Sequence, residues 1–463
     1  MRGGADGRPG RSLGNALQAA PSRKLIRRRP DVPLFLDASA DDFESRFRAL
    51  LATKREVSDD VDATVRAILE DVRARGDAAV ADYTQKFDGF DLSDMPMQVG
   101  GREIEEAMLT ADDSVVEALR LARDRIRSHH ERQLPKDDVY TDPIGVKLGS
   151  RWTAVEAVGL YVPGGTASYP SSVLMNAIPA VVAGVERIAM VVPSPKGVLN
   201  PLVLVAAHLA GITEIYRIGG AQAVAALAYG TETIAPVAKI VGPGNAFVAA
   251  AKRRVFGTVG IDMIAGPSEV LVMADGENDP DWIAADLLAQ AEHDVSAQSI
   301  LITDDRDFAD RVSDAVETQL KTLPRGETAG ASWRDFGAII TVPSIDGEQA
   351  FAIANRIAAE HLELAFEGAE AAVEKVRNAG AIFIGRYTPE VIGDYVGGSN
   401  HVLPTARSAR FSSGLSVLDF VKRTSILQLG PDQLRELGPA AIALAEAEGL
   451  GAHGKSVSIR LNL

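Results

Sequence analysis

The spacing of hydrophobic residues along the chain changes near Val146. Before it, between residues 41 and 134, apolar side chains recur every three to four positions, as in the long stretch Glu103–Glu131, and this spacing predicts amphipathic helices. After it, short apolar runs such as Ala154–Val162 and Ile188–Val192 alternate with helical segments. That alternation is typical of βαβ units, in which helices cover a parallel sheet.

A second series of alternating runs begins at Glu269–Met273 and continues to Ala381–Ile384. The pattern therefore predicts two open α/β modules. After Pro389 the chain becomes rich in glycine, and it closes with a predicted helix at Gln433–Glu448 and a predicted strand at Val457–Leu461. This tail is too small to hold a core of its own, so we expect it to pack on another part of the molecule or on a second subunit.

The composition excludes several classes of function. The 463 residues carry a formal net charge of -15, which argues against partners such as nucleic acid or an anionic membrane surface. There is no cysteine, which excludes disulfides, thiolate metal sites, iron–sulfur clusters and a thiohemiacetal formed on an aldehyde. The longest apolar stretches, Val173–Val185 and Pro201–Ile212, are interrupted and too short to span a bilayer. Residues 1–33 are rich in arginine and poor in acids, which fits a disordered basic tail, a transit peptide or a start site placed too early.

The segment from Asp286 to His293 carries the first candidate chemistry. Asp279-Pro280 predicts a helix start, because aspartate caps a helix well and proline suits its first position. If that helix continues to His293, then Asp286, Gln290 and His293 lie on one face. An amide oxygen and an imidazole nitrogen at this spacing can hold a divalent cation, but the same pattern also fits a solvated helix face.

Three glycine-containing loops each follow a predicted strand and precede a predicted helix. They are Tyr161-Val-Pro-Gly-Gly165, Gly219-Gly-Ala-Gln222 and Gly242-Pro-Gly-Asn245. Parallel sheets carry their sites at the carboxyl ends of strands, and such loops offer backbone N–H groups suited to phosphate. None of them matches the dinucleotide-binding fingerprint, so each is either a tight turn or a nucleotide contact.

The pair Glu360-His361 stands where a predicted helix ends and the predicted strand Leu362–Phe366 begins. It is either a capped helix end or a base whose imidazole titrates close to the working pH. Further polar groups of ligand or acid/base type follow at the ends of elements: Asp394, His401, Glu448 and His453. Metal ligands drawn from Gln290, His293, Asp394 and His453 would need no thiolate, which suits a chain without cysteine.

Taken in order along the chain, these motifs resemble those of the L-histidinol dehydrogenase family. The markers are Gly159-Leu-Tyr-Val-Pro-Gly-Gly165, Val241-Gly-Pro-Gly-Asn245, Ala265-Gly-Pro-Ser-Glu269, Gln290-Ala-Glu-His293, Glu360-His361-Leu, Gly393-Asp-Tyr and Ser399-Asn-His-Val-Leu-Pro-Thr405. The resemblance runs from about Leu34 to the end of the chain. It implies a zinc enzyme that oxidises L-histidinol to L-histidine in two steps, using two molecules of NAD+.

The same resemblance implies the site residues. The zinc ligands, for one ion per subunit, would be Gln290, His293 and Asp394 of one subunit with the partner subunit's His453. The implied substrate contacts are Ser268, Gln290, His293, His361, Asp394, His401, Glu448 and His453, and the implied NAD contacts are Tyr161, Gln222 and Asn245. Because no cysteine can hold the aldehyde, we expect His361 to take the hydroxyl proton and Glu360 to activate water for the second oxidation.

The implied fold class is α/β, with two incomplete Rossmann-like modules, small terminal segments and an intertwined homodimer with shared active sites. The expected divisions are a basic tail (1–33), an N-terminal helical segment (34–57), a first module (58–159 with 268–414), a second module (160–267) and a dimerisation tail (415–463). We expect a cytoplasmic enzyme. The alternatives are an NAD-dependent dehydrogenase of another small polyol or amino alcohol, a zinc hydrolase that uses Glu360, and a non-catalytic binding protein.

Overall fold

A computed structural model describes residues 33–53, 59–164, 169–264 and 266–463, so the expected basic tail, apart from its last residue, lies outside the described residues. The strands are β1 (Leu34–Asp37), β2 (Asp138–Thr141), β3 (Lys147–Ala154), β4 (Ala157–Tyr161), β5 (Arg187–Val191), β6 (Glu214–Tyr216), β7 (Lys239–Val241), β8 (Gly260–Ile261), β9 (Glu269–Ala274), β10 (Gln298–Thr303), β11 (Ala338–Thr341), β12 (His361–Ala365), β13 (Ala381–Ile384) and β14 (Val421–Gln428). The helices are α1 (Phe43–Leu51), α2 (Asp59–Arg75), α3 (Asp77–Asp88), α4 (Gly101–Thr110), α5 (Asp113–Glu131), α6 (Pro170–Val182), α7 (Pro201–Ala210), α8 (Gly220–Tyr229), α9 (Ala246–Val255), α10 (Pro280–Ala291), α11 (Arg306–Gln319), α12 (Gly326–Phe336), α13 (Glu348–Ile357), α14 (Ala369–Ala372), α15 (Glu390–Tyr395), α16 (Pro431–Ala447) and α17 (Gly451–Ser458). None of the helices in these ranges combines the length and the apolar character needed to cross a membrane.

The larger sheet contains six parallel strands in the order β1-β11-β10-β9-β12-β13. Strands β9 and β10 at its centre are buried along their whole length. Their interiors are apolar runs, Val270–Ala274 and Ile300–Ile302, as expected for strands that helices cover on both faces. The expectation of a helix-covered parallel sheet is therefore confirmed for the second half of the chain.

The smaller sheet contains five parallel strands in the order β6-β5-β4-β7-β8. If these strands are numbered by their order in the chain, the sheet reads 3-2-1-4-5 from one edge to the other. The larger sheet has the same order when β9 is counted as its first strand, and β1 is added at its edge. In both sheets the chain therefore reverses its direction of travel beside the first strand, and open α/β sheets place their ligands at such reversals.

Two hydrophobic cores lie on each sheet, one on either face. Helices α2, α3, α8 and α9 cover one face of the smaller sheet, and α4, α5, α6 and α7 cover the other. Helices α1, α13 and α14 cover one face of the larger sheet, and α10, α11 and α12 cover the other. The division of the chain differs here from the sequence-based boundaries, which grouped residues 58–159 with the larger sheet. The amphipathic helices before Val146 need an apolar surface to cover, and the next sheet along the chain supplies it.

The tail differs from expectation at its end. The predicted strand Val457–Leu461 is wrong, because Val457 belongs to helix α17 and Leu461 follows it in a turn. These two side chains are one helical turn apart and pack against Gly438 of α16, where a Cβ would lie only 2.6 Å from Leu461 Cδ1. Over so short a stretch, this pattern of apolar and polar residues fits both the period of a strand and the period of a helix. In α16 and α17 the buried residues are Gly438, Ala445 and Gly454, so the tail has almost no core of its own.

A third sheet joins the tail to the rest of the molecule. Strand β14 pairs antiparallel with β3, which in turn pairs antiparallel with β2. Strand β2 is exposed along its whole length and most residues of β14 are exposed as well. The tail therefore leaves the body of the chain along a largely exposed ribbon.

Candidate active site

A cavity of about 930 Å³ lies between the larger and the smaller sheet. Ten of the predicted site residues line it: Tyr161, Gln222, Asn245, Ser268, Gln290, His293, Glu360, His361, Asp394 and His401. The other two, Glu448 and His453, do not line it and are exposed at the end of α16 and the start of α17. A single chain thus assembles most of the predicted constellation from segments that lie far apart in the sequence.

The two sheets present opposite ends to the cavity. The smaller sheet contributes the loops after β4, β6 and β7, at the carboxyl ends of its strands, as expected. The larger sheet contributes Ser268, which precedes β9, and Glu360-His361, where β12 begins. Sequence analysis placed Glu360-His361 at the start of a strand, and the larger sheet does bring the amino ends of its strands to the cavity.

The loop after β7 is held by a buried ion pair. Lys252 and Asp262 contact each other, and their side chains are 3% and 1% exposed. Lys252 Nζ donates to the carbonyl oxygen of Gly242 at 2.9 Å, and the N–H of Gly242 donates to Asp262 Oδ2 at 2.8 Å. Gly242 has a φ of 112°, and a Cβ there would collide with the backbone carbonyl oxygen of Tyr161. Only glycine suits this position, where the loop passes close to the end of β4.

The three predicted NAD contacts surround this loop. Tyr161 is buried, and its hydroxyl accepts the N–H of Gly220 at 2.9 Å. Asn245 caps helix α9 with its side-chain oxygen, which leaves its amide nitrogen for a ligand. Gln222 is 1% exposed, and its Oε1 has no hydrogen-bond partner among the described residues. An unpaired buried amide oxygen is costly, so the pocket fits a ligand that donates a hydrogen bond to it.

The candidate metal ligands Gln290 and His293 lie at the end of α10. The helix ends at Ala291, so the expected continuation to His293 stops short by two residues, yet both side chains line the cavity. His293 Nδ1 donates to the carbonyl oxygen of Ala289 at 2.9 Å, which leaves Nε2 with a free lone pair. Gln290 Oε1 is buried and has no hydrogen-bond partner in the described part of the chain.

Asp394 completes the candidate metal ligands of this chain. Burial by itself would raise the pKa of Asp394, but the hydrogen bond with His361 and the nearby imidazoles outweigh it, so the pKa lies below its usual value. An ionised carboxylate, an imidazole nitrogen and an unpaired amide oxygen are donors that suit zinc with an open position. The described residues contain no cluster of three His, Cys, Asp or Glu side chains that could hold a metal, so the candidate set in this chain depends on the amide oxygen of Gln290 as a third donor. The residues present fit the implied metal.

His361 lies at the centre of a buried group of carboxylates. Its Nδ1 donates to the carbonyl oxygen of Glu269 at 3.2 Å, and its Nε2 lies 3.3 Å from Asp394 Oδ1. Glu390 Oε2 and Glu360 Oε2 lie 3.6 and 3.9 Å from Nδ1. Burial works to lower the pKa of His361, but these carboxylates outweigh it and raise the pKa well above its usual value. The imidazole is thus oriented and, because its pKa is raised, mainly protonated at neutral pH, so it can act as a base only after it has lost this proton.

Glu360 is placed to act as a base. It is 5% exposed and lines the cavity, and its Oε2 accepts the N–H of Glu269 at 3.0 Å. Burial raises the pKa of Glu360 to about 7, against the charge of His361, which works to lower it. A carboxyl group with a pKa near neutrality is partly ionised at working pH, and its carboxylate is basic enough to take a proton from water.

His401 connects the smaller sheet with α15. Its Nδ1 donates to the carbonyl oxygen of Asp394 at 3.0 Å, and its Nε2 accepts from the hydroxyl of Ser172 at 3.2 Å. Burial lowers the pKa of His401, so its ring is neutral at working pH. Ser172 was not predicted, and nothing in its local sequence distinguishes it from other helix residues.

Sequence analysis also missed other buried residues close to the site. Glu363 and Glu390 are 3% and 1% exposed beside His361, and Lys252 is 2% exposed beneath the Gly242 loop. Glu363 carries a usable signal, because it is an acid between Leu362 and Leu364 in a buried strand. Glu390 follows a proline like many surface acids, so its burial depends on the tertiary fold alone.

The chain is similar to known proteins. The model of the histidinol dehydrogenase family matches residues 51–461. A histidinol dehydrogenase of Mesorhizobium japonicum is 73% identical over 428 residues, which cover 92% of this chain and 99% of that protein. One of Rhodopseudomonas palustris is 68% identical over 431 residues, which cover 93% and 100%. The crystal structure of histidinol dehydrogenase from Elizabethkingia anophelis is 37% identical and superposes with a TM-score of 0.88, over 93% of this chain and 98% of that one.

Proposed function

The chain belongs to the histidinol dehydrogenase family of oxidoreductases, and on this premise we propose that it oxidises L-histidinol through histidinaldehyde to L-histidine, with NAD+ as electron acceptor and zinc as bound metal. The observation that carries the proposal is that candidate zinc, NAD and substrate contacts line the same cavity as Glu360-His361. The product makes this a step of histidine biosynthesis.

The smaller sheet supports the assignment of NAD+. Its strand order reverses between β4 and β7, and dinucleotides bind at such reversals in doubly wound sheets. Tyr161 ends β4 and Gly242 follows β7, so the loop that Lys252 and Asp262 hold lies at this point. Bound there, NAD+ would accept a hydride in each of the two oxidations.

The end of α10 and the end of α15 support the assignment of zinc. Gln290, His293 and Asp394 would hold the ion, with a fourth ligand from His453 of the partner subunit. When bound, zinc supplies a positive centre that orients the imidazole and amino nitrogens of the substrate and withdraws charge from them. Ser268 and His401 line the same cavity and would contact the substrate beside it.

The two oxidations divide between the neighbouring residues Glu360 and His361. In the first, His361 in its neutral form takes the hydroxyl proton of histidinol while the carbon loses a hydride to NAD+, which gives the aldehyde. In the second, Glu360 takes a proton from water as the oxygen adds to the aldehyde, and the hydrate loses a hydride to give the acid. The aldehyde is hydrated rather than held on the protein as a thiohemiacetal, because the chain contains no cysteine.

The tail supports a homodimer with shared sites. Glu448 and His453 do not line the cavity of their own chain, and α16 and α17 leave Leu444 and Ile459 exposed by 65% and 60%. An apolar surface of this kind is suited to a protein partner. We propose that the tail packs on a second copy, where it supplies the missing zinc ligand and the missing substrate contact.

The test is an assay of NADH absorbance with histidinol as substrate. We expect two NADH for each histidinol consumed, histidine as product, and loss of turnover after chelation with recovery on addition of zinc. A stoichiometry of one NADH, or full activity after complete removal of metal, would contradict the proposal. Other small amino alcohols and polyols serve as matched controls, since a paralogue of different specificity would oxidise one of them in preference to histidinol. A zinc hydrolase would produce no NADH from any of them.

A further inference from the structure

Asp286 and Glu363 connect the two elements that flank His361 and the candidate metal ligands. Asp286 lies on α10 one turn before Gln290, and Glu363 lies on β12 two positions after His361, on the same face of the strand. A hydrogen bond between their carboxyl groups contributes to the pKa of each. Two carboxyl groups form such a bond only if one of them carries the proton.

Glu363 also makes a second hydrogen bond, to helix α15. Its Oε1 accepts the backbone N–H of Glu390 at 2.6 Å, and Glu390 is the first residue of α15. Asp394 lies four residues further along the same short helix, and α10 packs against α15. The chain of contacts therefore runs from α10 through β12 to α15.

The protonation of Glu363 is consistent with both contacts. Burial raises the pKa of Glu363 well above its usual value, and the neighbouring Asp286 and Glu390 raise it further. A protonated Glu363 donates its O–H to the carboxylate of Asp286 and still accepts the N–H of Glu390 through its other oxygen. Each of the two contacts then joins a donor to an acceptor.

We propose that Asp286, Glu363 and the start of α15 form a brace that sets the distance between Gln290 and His293 on α10 and Asp394 on α15, so that the three side chains close on one zinc ion. This inference rests on the zinc site of the proposed function. Asp286 and Glu363 are positioning residues, because neither is among the residues that line the cavity. Partners of this kind behind metal ligands commonly change affinity about 10- to 100-fold.

The experiment measures zinc affinity by competition with a chromophoric chelator, using the full-length protein in its native oligomeric state. Asp286→Ala removes the acceptor for Glu363 and should raise the zinc Kd about 10- to 100-fold. Asp286→Asn and Glu363→Gln should keep the wild-type Kd. The asparagine oxygen still accepts from Glu363, and the glutamine amide donates to Asp286 while its oxygen accepts from Glu390. Asp286→Ser, which is too short to reach Glu363, repeats the test if the alanine variant does not fold.

The matched control is Asp275→Ala, in the same module. Asp275 accepts from Arg386 at 2.6 Å and from the N–H of Glu367 at 3.0 Å, so it also joins separate segments, but neither Arg386 nor Glu367 lies on α10, β12 or α15. We expect this variant to lower the melting temperature and to leave the zinc Kd unchanged.

Three outcomes would overturn the brace. They are an unchanged Kd in a folded Asp286→Ala or Asp286→Ser variant, an equal loss of affinity in Asp275→Ala, and an equal loss in the two conservative variants. A wild-type protein that binds no zinc would remove the proposed metal itself and the brace with it. That failure appears in the wild-type titration alone and is therefore distinct from failure of the brace.

Discussion

His361 and Glu269 stand at the first positions of the neighbouring strands β12 and β9, and the imidazole Nδ1 donates to the Glu269 carbonyl oxygen at 3.2 Å. The acceptor is a backbone atom at the amino end of the central strand. The larger sheet itself thus fixes the orientation of the ring, and Nε2 is left to face Asp394 at 3.3 Å. A base held in this way does not depend on a neighbouring side chain for its tautomer.

The first prediction concerns His361→Asn. Asparagine cannot take the hydroxyl proton, so we expect the oxidation of histidinol to slow by about 10²- to 10⁴-fold. The zinc content should stay at the wild-type level, because the candidate ligands are other residues. Steady-state assays and metal analysis of the purified variant check the two expectations. A variant that loses zinc and activity together would place His361 among the metal ligands instead.

The second prediction concerns Glu360→Gln and the pH dependence of aldehyde oxidation. Glu360 must be ionised to take a proton from water, and its pKa is raised to about 7 by burial. In the wild type, aldehyde oxidation should therefore fall as the pH drops below about 7. The variant should oxidise histidinaldehyde much more slowly than histidinol and should lack this acidic limb.

Assays started separately from histidinol and from histidinaldehyde, across the pH range, distinguish the two steps of the Glu360→Gln variant. His361→Asn is the comparison variant, since its larger defect should fall on the alcohol step. Equal losses in both steps for both variants would contradict the division of roles, although not the site.

The sequence predicted the helices and strands well because the spacing of apolar residues that marks each of them is visible within a short segment of the chain. Alternating apolar runs identified the parallel strands and helices, for example Ala381–Ile384, which the structure places in β13 with the same bounds. The tail strand Val457–Leu461 failed because five residues are too few to separate the two periods. There the contact with Gly438, a residue of another helix, decides the outcome.

The ends of elements were harder to predict than their existence. The expected helix before Glu360-His361 ends at Ile357, because Ala358 adopts a left-handed φ of 50°. That conformation is rare for alanine and has no local sequence signal. The chain then has three further residues in which to turn, and Glu360 becomes a buried residue beside the first position of β12.

The sequence alone could not show which ends of the two sheets meet. The rule that sites lie at the carboxyl ends of parallel strands holds for Tyr161 but fails for Ser268 and His361. How one sheet faces another depends on packing between segments that are distant in the chain. The resemblance to a known family implied that these residues belong to one site, and the structure places them around one cavity. It did not give the geometry that brings them together.

The third prediction concerns Lys252→Met, beneath the Gly242 loop. Removing one partner of a buried ion pair leaves the other charge without compensation, so we expect the free energy of unfolding to fall by about 3–5 kcal/mol. The double variant Lys252→Met with Asp262→Asn should recover part of this loss. Because Gly242 lies at the proposed NAD site, the KM for NAD+ should rise more than kcat falls.

Chemical denaturation and NAD+ titrations measure these effects of Lys252→Met. Arg254→Met is the matched control, since Arg254 lies on the same helix and forms an ion pair with Asp62 whose side chains are 31% and 46% exposed. Exposed pairs contribute little, so this variant should unfold at nearly the wild-type denaturant concentration. Equal stability of Lys252→Met and Arg254→Met would show that the ion pair of Lys252 and Asp262 does not hold the Gly242 loop.

The last prediction concerns the exchange of tails between subunits. The variants His361→Asn and His453→Asn should each be inactive, and we expect activity to return when they are unfolded together and refolded as a mixture. With the tail crossing to the partner, a heterodimer has one site with both lesions and one intact site. Random pairing makes about half of the dimers mixed, which limits recovery to roughly a quarter of the wild-type activity.

The control for this prediction is each variant refolded alone, which should stay inactive because every site keeps its lesion. With the tail acting on its own chain, both sites of a heterodimer would also keep one lesion, and mixing would restore nothing. The position of His453 on the exposed tail, outside the cavity of its own chain, favours the first outcome. Heterodimers confirmed by mass spectrometry but without regained activity would show that Asp394 and His453 of the partner subunit do not share one zinc ion.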